Sequence, residues 1–192
     1  VVGEAFGISK EARKVADDYP DIAFLMGDPF TPHGSNFSVF DNYIHEPCYL
    51  MGIIAGHMSR EKKIGMVGGY PIGEVNRLFH AFMNGARSVD PSIEFKVTFI
   101  GSWYDPPKAK EAAIAQIEAG VDIMYAERAG VVDACREKGI LAFGNVNDMN
   151  KEENGTDVVV TSALWHMESA IGYAIERVKA GTFSAEEYHH WT

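Results

Sequence analysis

The chain has 192 residues, 46% of them hydrophobic and 23% charged, a balance that fits one globular domain or two small lobes. Its net charge of −10 and pI near 5.1 exclude a nucleic-acid surface, because neutralising phosphates needs clustered Lys and Arg and no basic run occurs. The longest apolar run, 48–55 (CYLMGIIA), is well short of the ~20 residues a membrane-spanning helix needs, and reads as a buried helix.

In chain order, 1–7 (VVGEAFG) reads as the end of a strand and its turn, with no leader or initiating Met before it. The expectation is therefore a chain that lacks its N-terminal part and its targeting signal. Ser9 stands where it would cap a helix over 10–17. A strand is predicted at 22–26, followed by an irregular stretch at 28–42 that is rich in Pro, Gly, Ser and Asn. The helix at 48–55 leads to a strand at 64–67. Val75, Leu78, Phe79, Phe82, Met83 and Ala86 then form one helical stripe.

A strand at 95–100 precedes a helix at 108–119, which is bounded by Asp105-Pro106-Pro107 and by Gly120. Further strands fall at 122–125, 141–143 and 158–161, with a second irregular stretch at 145–157. Met167, Ala170, Ile171, Ala174, Ile175 and Val178 repeat the helical stripe. Most strand candidates are continuous apolar runs, as in parallel sheets covered on both faces. Strand and helix alternate through short connections, which predicts an α/β fold.

Cys48 and Cys135 form no CxxC pair and read as small buried apolar residues, with neither a zinc site nor a disulfide implied. His189-His190 sits in a polar tail and is not taken as a metal site. No cofactor motif appears: 68–73 (GGYPIG) departs from GxGxxG, and there is no Walker lysine and no GxSxG. The chain is not expected to be an enzyme.

Ligands of open α/β sheets sit beyond the carboxyl ends of the strands. That rule selects the loops at 3–9, 68–74, 101–105, 126–130 and 144–150. They carry Phe6, Tyr70, Trp103 and Tyr104 beside Asp105, Glu127, Asn145, Asn147 and Asp148. Aromatic faces with a few amides and carboxylates suit a planar heterocycle with polar edges. Each residue also has a plainer role open to it. Asp105 can cap the helix after it, Trp103 can be core, Glu127 can pair with Arg128, and Asn147 and Asp148 can be turn formers.

Taken in order, several segments resemble the basic membrane protein family, the substrate-binding lipoproteins of ABC transporters that include purine nucleoside receptors. They are Glu46…Tyr49-Leu50-Met51-Gly52-Ile53-Ile54-Ala55, Lys63-Ile64-Gly65-Met66-Val67-Gly68-Gly69, Gly85-Ala86-Arg87, Trp103-Tyr104-Asp105-Pro106, Gly120-Val121-Asp122-Ile123, Gly144…Asp148 and Thr161-Ser162. The resemblance implies a type I periplasmic-binding-protein fold with two Rossmann-like parallel-sheet lobes, the first incomplete. It places 1–60 in the N-terminal lobe, 61–150 in the C-terminal lobe and 151–192 in a return segment near the hinge. It further implies a purine-like ligand held between the lobes and ABC permease subunits as partners. The location implied is periplasmic or extracellular, with the membrane reached only through a lipid anchor outside this chain.

Two departures bear on the ligand. Nucleoside-binding members carry an Asp that grips ribose where this chain has Val146, and a Lys where it has Trp165. Valine accepts no hydrogen bond, and a buried hydroxyl left unpaired costs about 1–3 kcal/mol. The expected ligand is therefore a free purine-type base, with a nucleoside or a ligand-sensing regulatory role as alternatives. The expected contacts are Phe6, Tyr70, Trp103, Asp105, Glu127, Asn147, Asp148 and Trp165.

Overall fold

Eight strands, each parallel to its sheet neighbours, alternate with seven helices among the described residues 1–41, 43–152 and 157–189 of a computed structural model. Asn42, 153–156 of the expected second loop, and His190 of the polar tail lie outside the described residues. The chain divides into two units, Val1–Tyr43 with Trp165–Thr192, and Ile44–Leu164.

The first unit holds a three-stranded sheet in the order β1 (Val2–Glu4), β2 (Phe24–Gly27), β3 (Phe37–Phe40), with helices α1 (Ser9–Asp18) and α7 (Glu168–Lys179). Strand β3 lies inside the stretch expected to be irregular. All four of its residues are buried, and it pairs residue for residue with β2, so tertiary burial overrides the turn-rich composition around it. Asn36 fixes the entry to β3 by donating from Nδ2 to the carbonyls of Ala16, Tyr19 and Ile22 at 3.0, 3.0 and 2.9 Å. Ser9 is not the cap expected of it. Ile8 holds that position, and the Ser9 hydroxyl donates to Asp28 Oδ2 at 2.6 Å.

The α7 stripe is only partly covered. Ala170 and Ala174 are buried, but Ile175 and Val178 are 45% and 50% exposed. They line an apolar groove of about 420 Å³ with Val1, Val2, Ile22 and Phe183, beside the edge strand β1.

The second unit holds five parallel strands in the order β5-β4-β6-β7-β8. Along the chain it runs α2 (His45–Met58), β4 (Lys63–Gly68), α3 (Gly73–Val89), β5 (Glu94–Phe99), α4 (Pro106–Glu118), β6 (Ile123–Ala126), α5 (Val131–Lys138), β7 (Leu141–Val146), α6 (Met149–Glu152) and β8 (Val159–Leu164). Residues 44–60 thus group with 61–164 instead of with the first lobe, because α2 packs against α3. Of the expected return segment, the part that forms β8 joins this sheet.

Strand alternation sorts the two faces. Tyr125 and Phe143 meet the α3 aromatics: Phe82 lies 5.0 Å from Tyr125 and 5.6 Å from Phe143, and Phe79 lies 5.7 Å from Tyr125 between ring centroids. Met124, Ala126 and Ala142 point the other way, into a cluster with Ala109 and Ala113 of α4 and Ala134 and Cys135 of α5. Strand β5 is a half-exposed edge strand. Asp105 caps α4, its Oδ1 accepting from Lys108 N at 3.1 Å, with Pro106 in the first turn.

Candidate functional site

From β4 the chain crosses to β5 on one side and then to β6 on the other, so the sheet order reverses between the carboxyl ends of β4 and β6. A crevice opens at such a point. One hydrogen bond ties its two banks together: Gly69 N donates to Glu127 Oε2 at 3.0 Å. Arg128 donates from Nε to the same oxygen at 2.8 Å and from Nη2 to Oε1. Its Nη1 reaches the Trp103 carbonyl at 2.7 Å, and its guanidinium lies 5.2 Å from the Trp103 ring centroid. Burial pushes the Glu127 carboxyl up, while Arg128 and the Gly69 amide pull it back. Glu127 thereby anchors the two banks from inside.

Trp103 lies close against Gly69, where an added Cβ would come within 2.9 Å of its ring. Tyr70 sits at a tilted 59° to it with centroids 5.0 Å apart, and the two rings remain 37% (Tyr70) and 41% (Trp103) exposed. Trp103 is thus a loop aromatic with an open face and not a core residue. Tyr104 is more exposed still.

On the far side of β6 the loop after β7 turns sharply. Asn147 N donates to Asn145 O at 2.8 Å, which closes a γ-turn centred on Val146 at φ 70°. A β-branched residue there is strained by about 1–3 kcal/mol. Asp148 accepts from Asn150 N at 3.3 Å and pairs with Lys151 at 3.2 Å. Asn145 is buried, and its Oδ1 accepts from Tyr125 Oη at 2.8 Å; Cys48 Sγ lies 3.2 Å from the same phenol. Cys48 is therefore more than an apolar filler.

Of the eight expected contacts, Tyr70, Trp103, Asp105, Glu127, Asn147 and Asp148 all lie at the carboxyl edge of this sheet, with Glu127 and one oxygen of Asp105 bonded within the protein. Phe6 and Trp165 belong to the other unit. Phe6 is half-buried over Gly27, and the Trp165 Nε1 is enclosed with no hydrogen-bond partner among the described residues. In that unit Asp28 directly follows β2 and is fully buried, accepting from Ser9, from Arg13 Nη2 at 2.8 Å and from Phe30 N at 3.1 Å. The strand-end rule extended to 28 finds it; reading 28–42 only as a loop does not. The reach of Arg128 to Trp103 and the part played by Tyr125 carry no local sequence signal.

A family model described as ABC transporter substrate-binding protein PnrA-like (Bmp) matches residues 1–192. A purine-binding protein of Brucella abortus is 33% identical over 95% of this chain and 52% of its own length. A Haloferax volcanii protein assigned as an ABC-transporter glucose-binding protein is 32% identical over 98% of this chain and 48% of its own. The chain thus spans about half the length of these curated relatives. A solute-binding protein of an ABC transporter from Aeropyrum pernix superposes with a TM-score of 0.79 at 22% identity, over 94% of this chain and 55% of that one. The fold is that of the type I periplasmic binding proteins.

Proposed function

The chain belongs to the Bmp family of ABC-transporter substrate-binding proteins, and on that footing we infer that the protein it comes from captures a purine-type nucleobase for delivery to a permease. A family of this kind binds and releases and does not turn its ligand over. No helix of the described residues is long and apolar enough to cross a membrane. A periplasmic or extracellular location, with a lipid anchor elsewhere in the polypeptide, completes the reading.

The observation that carries the choice of ligand is the state of the polar groups around Trp103 and Tyr70. Two open aromatic faces stand at the edge, while both oxygens of Glu127 are held by Arg128 and Gly69 and one oxygen of Asp105 by its helix cap. Few carboxylates are left to hold several hydroxyls at once, whereas a flat base needs a face and one or two edge contacts. Val146, at the place where the family resemblance implies an acid that grips ribose, supports the same choice. The glucose assignment of the Haloferax relative makes a sugar the competing ligand.

Trp103 tests the reading. Trp103→Ala in the full-length protein is expected to weaken base binding by about 1–3 kcal/mol, the range for base–aromatic stacking, and Trp103→Phe to keep much of the affinity. Calorimetric titration with hypoxanthine reads the affinity, and a melting curve reads stability. An alanine variant with unchanged affinity and unchanged melting places the ligand elsewhere.

A further inference from the structure

One side chain, Arg128, ties three strand ends together. Its Nε donates to the Glu127 carbonyl at 2.9 Å and to Glu127 Oε2 at 2.8 Å, and its Nη2 donates to Oε1. Its Nη1 crosses to the loop after β5 and donates to the Trp103 carbonyl at 2.7 Å. Glu127 in turn accepts from Gly69 at the end of β4. Each guanidinium nitrogen thus serves a protein acceptor, and the side chain is only 18% exposed. Arg128 is badly placed to hold a ligand itself and well placed to fix what lies against it.

Trp103 is what lies against it. The guanidinium stands over the indole at 5.2 Å from the ring centroid, within the range of a cation–π contact. The Gly69 backbone approaches the six-membered part of the ring, and Tyr70 leans on it at 5.0 Å. A loop tryptophan that is 41% exposed would otherwise move among staggered rotamers. Ordering such a side chain at the moment of binding costs affinity, and holding it beforehand removes that cost. Only a flat fork can bond both Glu127 oxygens, reach the Trp103 carbonyl and lie over the ring at once, which is arginine chemistry and not lysine chemistry.

We propose that Arg128 is a positioning residue of the binding site, which holds Trp103 in the orientation it presents to the ligand. The proposal rests on the reading of Trp103 as a ligand face.

The test is a double-mutant cycle on the full-length protein, read by calorimetric titration with hypoxanthine and checked by a melting curve. Arg128→Lys keeps Glu127 paired, but an ammonium cannot span Glu127 and the Trp103 carbonyl in one plane. It is expected to weaken binding about fivefold, the order of the cost of ordering one such side chain on binding. In the Trp103→Ala background the same change should cost nothing further, because the group it acts through is gone. Equal losses in the two backgrounds, or no loss in either, overturn the proposal. If Arg128→Lys does not melt as a folded protein, Glu127→Gln with Arg128→Met replaces it, since that pair leaves no buried charge unpaired. A ligand-free measurement separates the proposal from the base reading. The Trp103 share of the fluorescence, taken as the difference from Trp103→Phe, should be quenched more readily by acrylamide once Arg128 is replaced. If the wild type binds no hypoxanthine, the base reading fails and quenching alone decides the hold on Trp103. Easier quenching then upholds it, and unchanged quenching overturns it.

Discussion

Arg128→Met is expected to destabilise the second unit by about 3–5 kcal/mol, the cost of removing one partner from a buried ion pair. The Glu127 side chain is 2% exposed and the Arg128 side chain 18%, so little water is available to replace the guanidinium. The loss should depend on pH in a definite direction. Burial already holds the Glu127 carboxyl above its ordinary value, and without Arg128 only the Gly69 amide opposes burial. A carboxyl whose folded pKa is raised costs nothing below its unfolded pKa, near 4.3, because it folds neutral. It costs progressively more as pH rises from the unfolded pKa to the folded one, and stays at its full value above that. Urea unfolding of the full-length variant should therefore show a larger deficit against wild type at pH 8 than at pH 5. Glu127→Gln in the same background should remove most of that difference. Equal deficits at the two pH values would mean that Arg128 acts through packing on Trp103 alone.

Gly85→Ala should cost about 2–3 kcal/mol although alanine is the better helix former by about 1 kcal/mol. Helices α2 and α3 approach through facing glycines. A Cβ on Gly85 would stand 2.0 Å from the Tyr49 carbonyl oxygen, and one on Gly52 would stand 2.1 Å from that of Phe82. Both obstacles are backbone, so the helices must separate, and Phe79 and Phe82 would lose their fit on Tyr125. Thermal melting reads the loss. A Gly85→Ala protein as stable as wild type would show that the helix pair tolerates separation without repacking.

The parts of this fold that were legible in the sequence are those written in local patterns. Continuous apolar runs marked 64–67 and 122–125, and the cap Asp105 with its prolines marked the start of α4. Strand β3 was hidden because four residues between Gly34 and Asn42 give too short a run to outweigh their neighbours, and burial of Phe37 and Phe40 is a tertiary fact. At the site, the strand-end rule led to Tyr70, Trp103 and Glu127 because it needs only strand order. The grip of Arg128 on Trp103, 25 positions away, and of Cys48 on Tyr125, 77 positions away, depends on how loops and helices meet and has no spacing to betray it.

The claim that most needs measurement is that this family member reads a free base. Isothermal titration of the full-length protein with hypoxanthine, its nucleoside inosine, and glucose under one set of conditions tests it directly. Hypoxanthine is expected to bind at least tenfold more tightly than inosine, since on the proposed reading the ribose hydroxyls would face Val146, which accepts no hydrogen bond, and one unpaired buried hydroxyl costs about 1–3 kcal/mol. Glucose is expected to bind more weakly than either. Tighter binding of inosine or of glucose than of hypoxanthine would contradict the account.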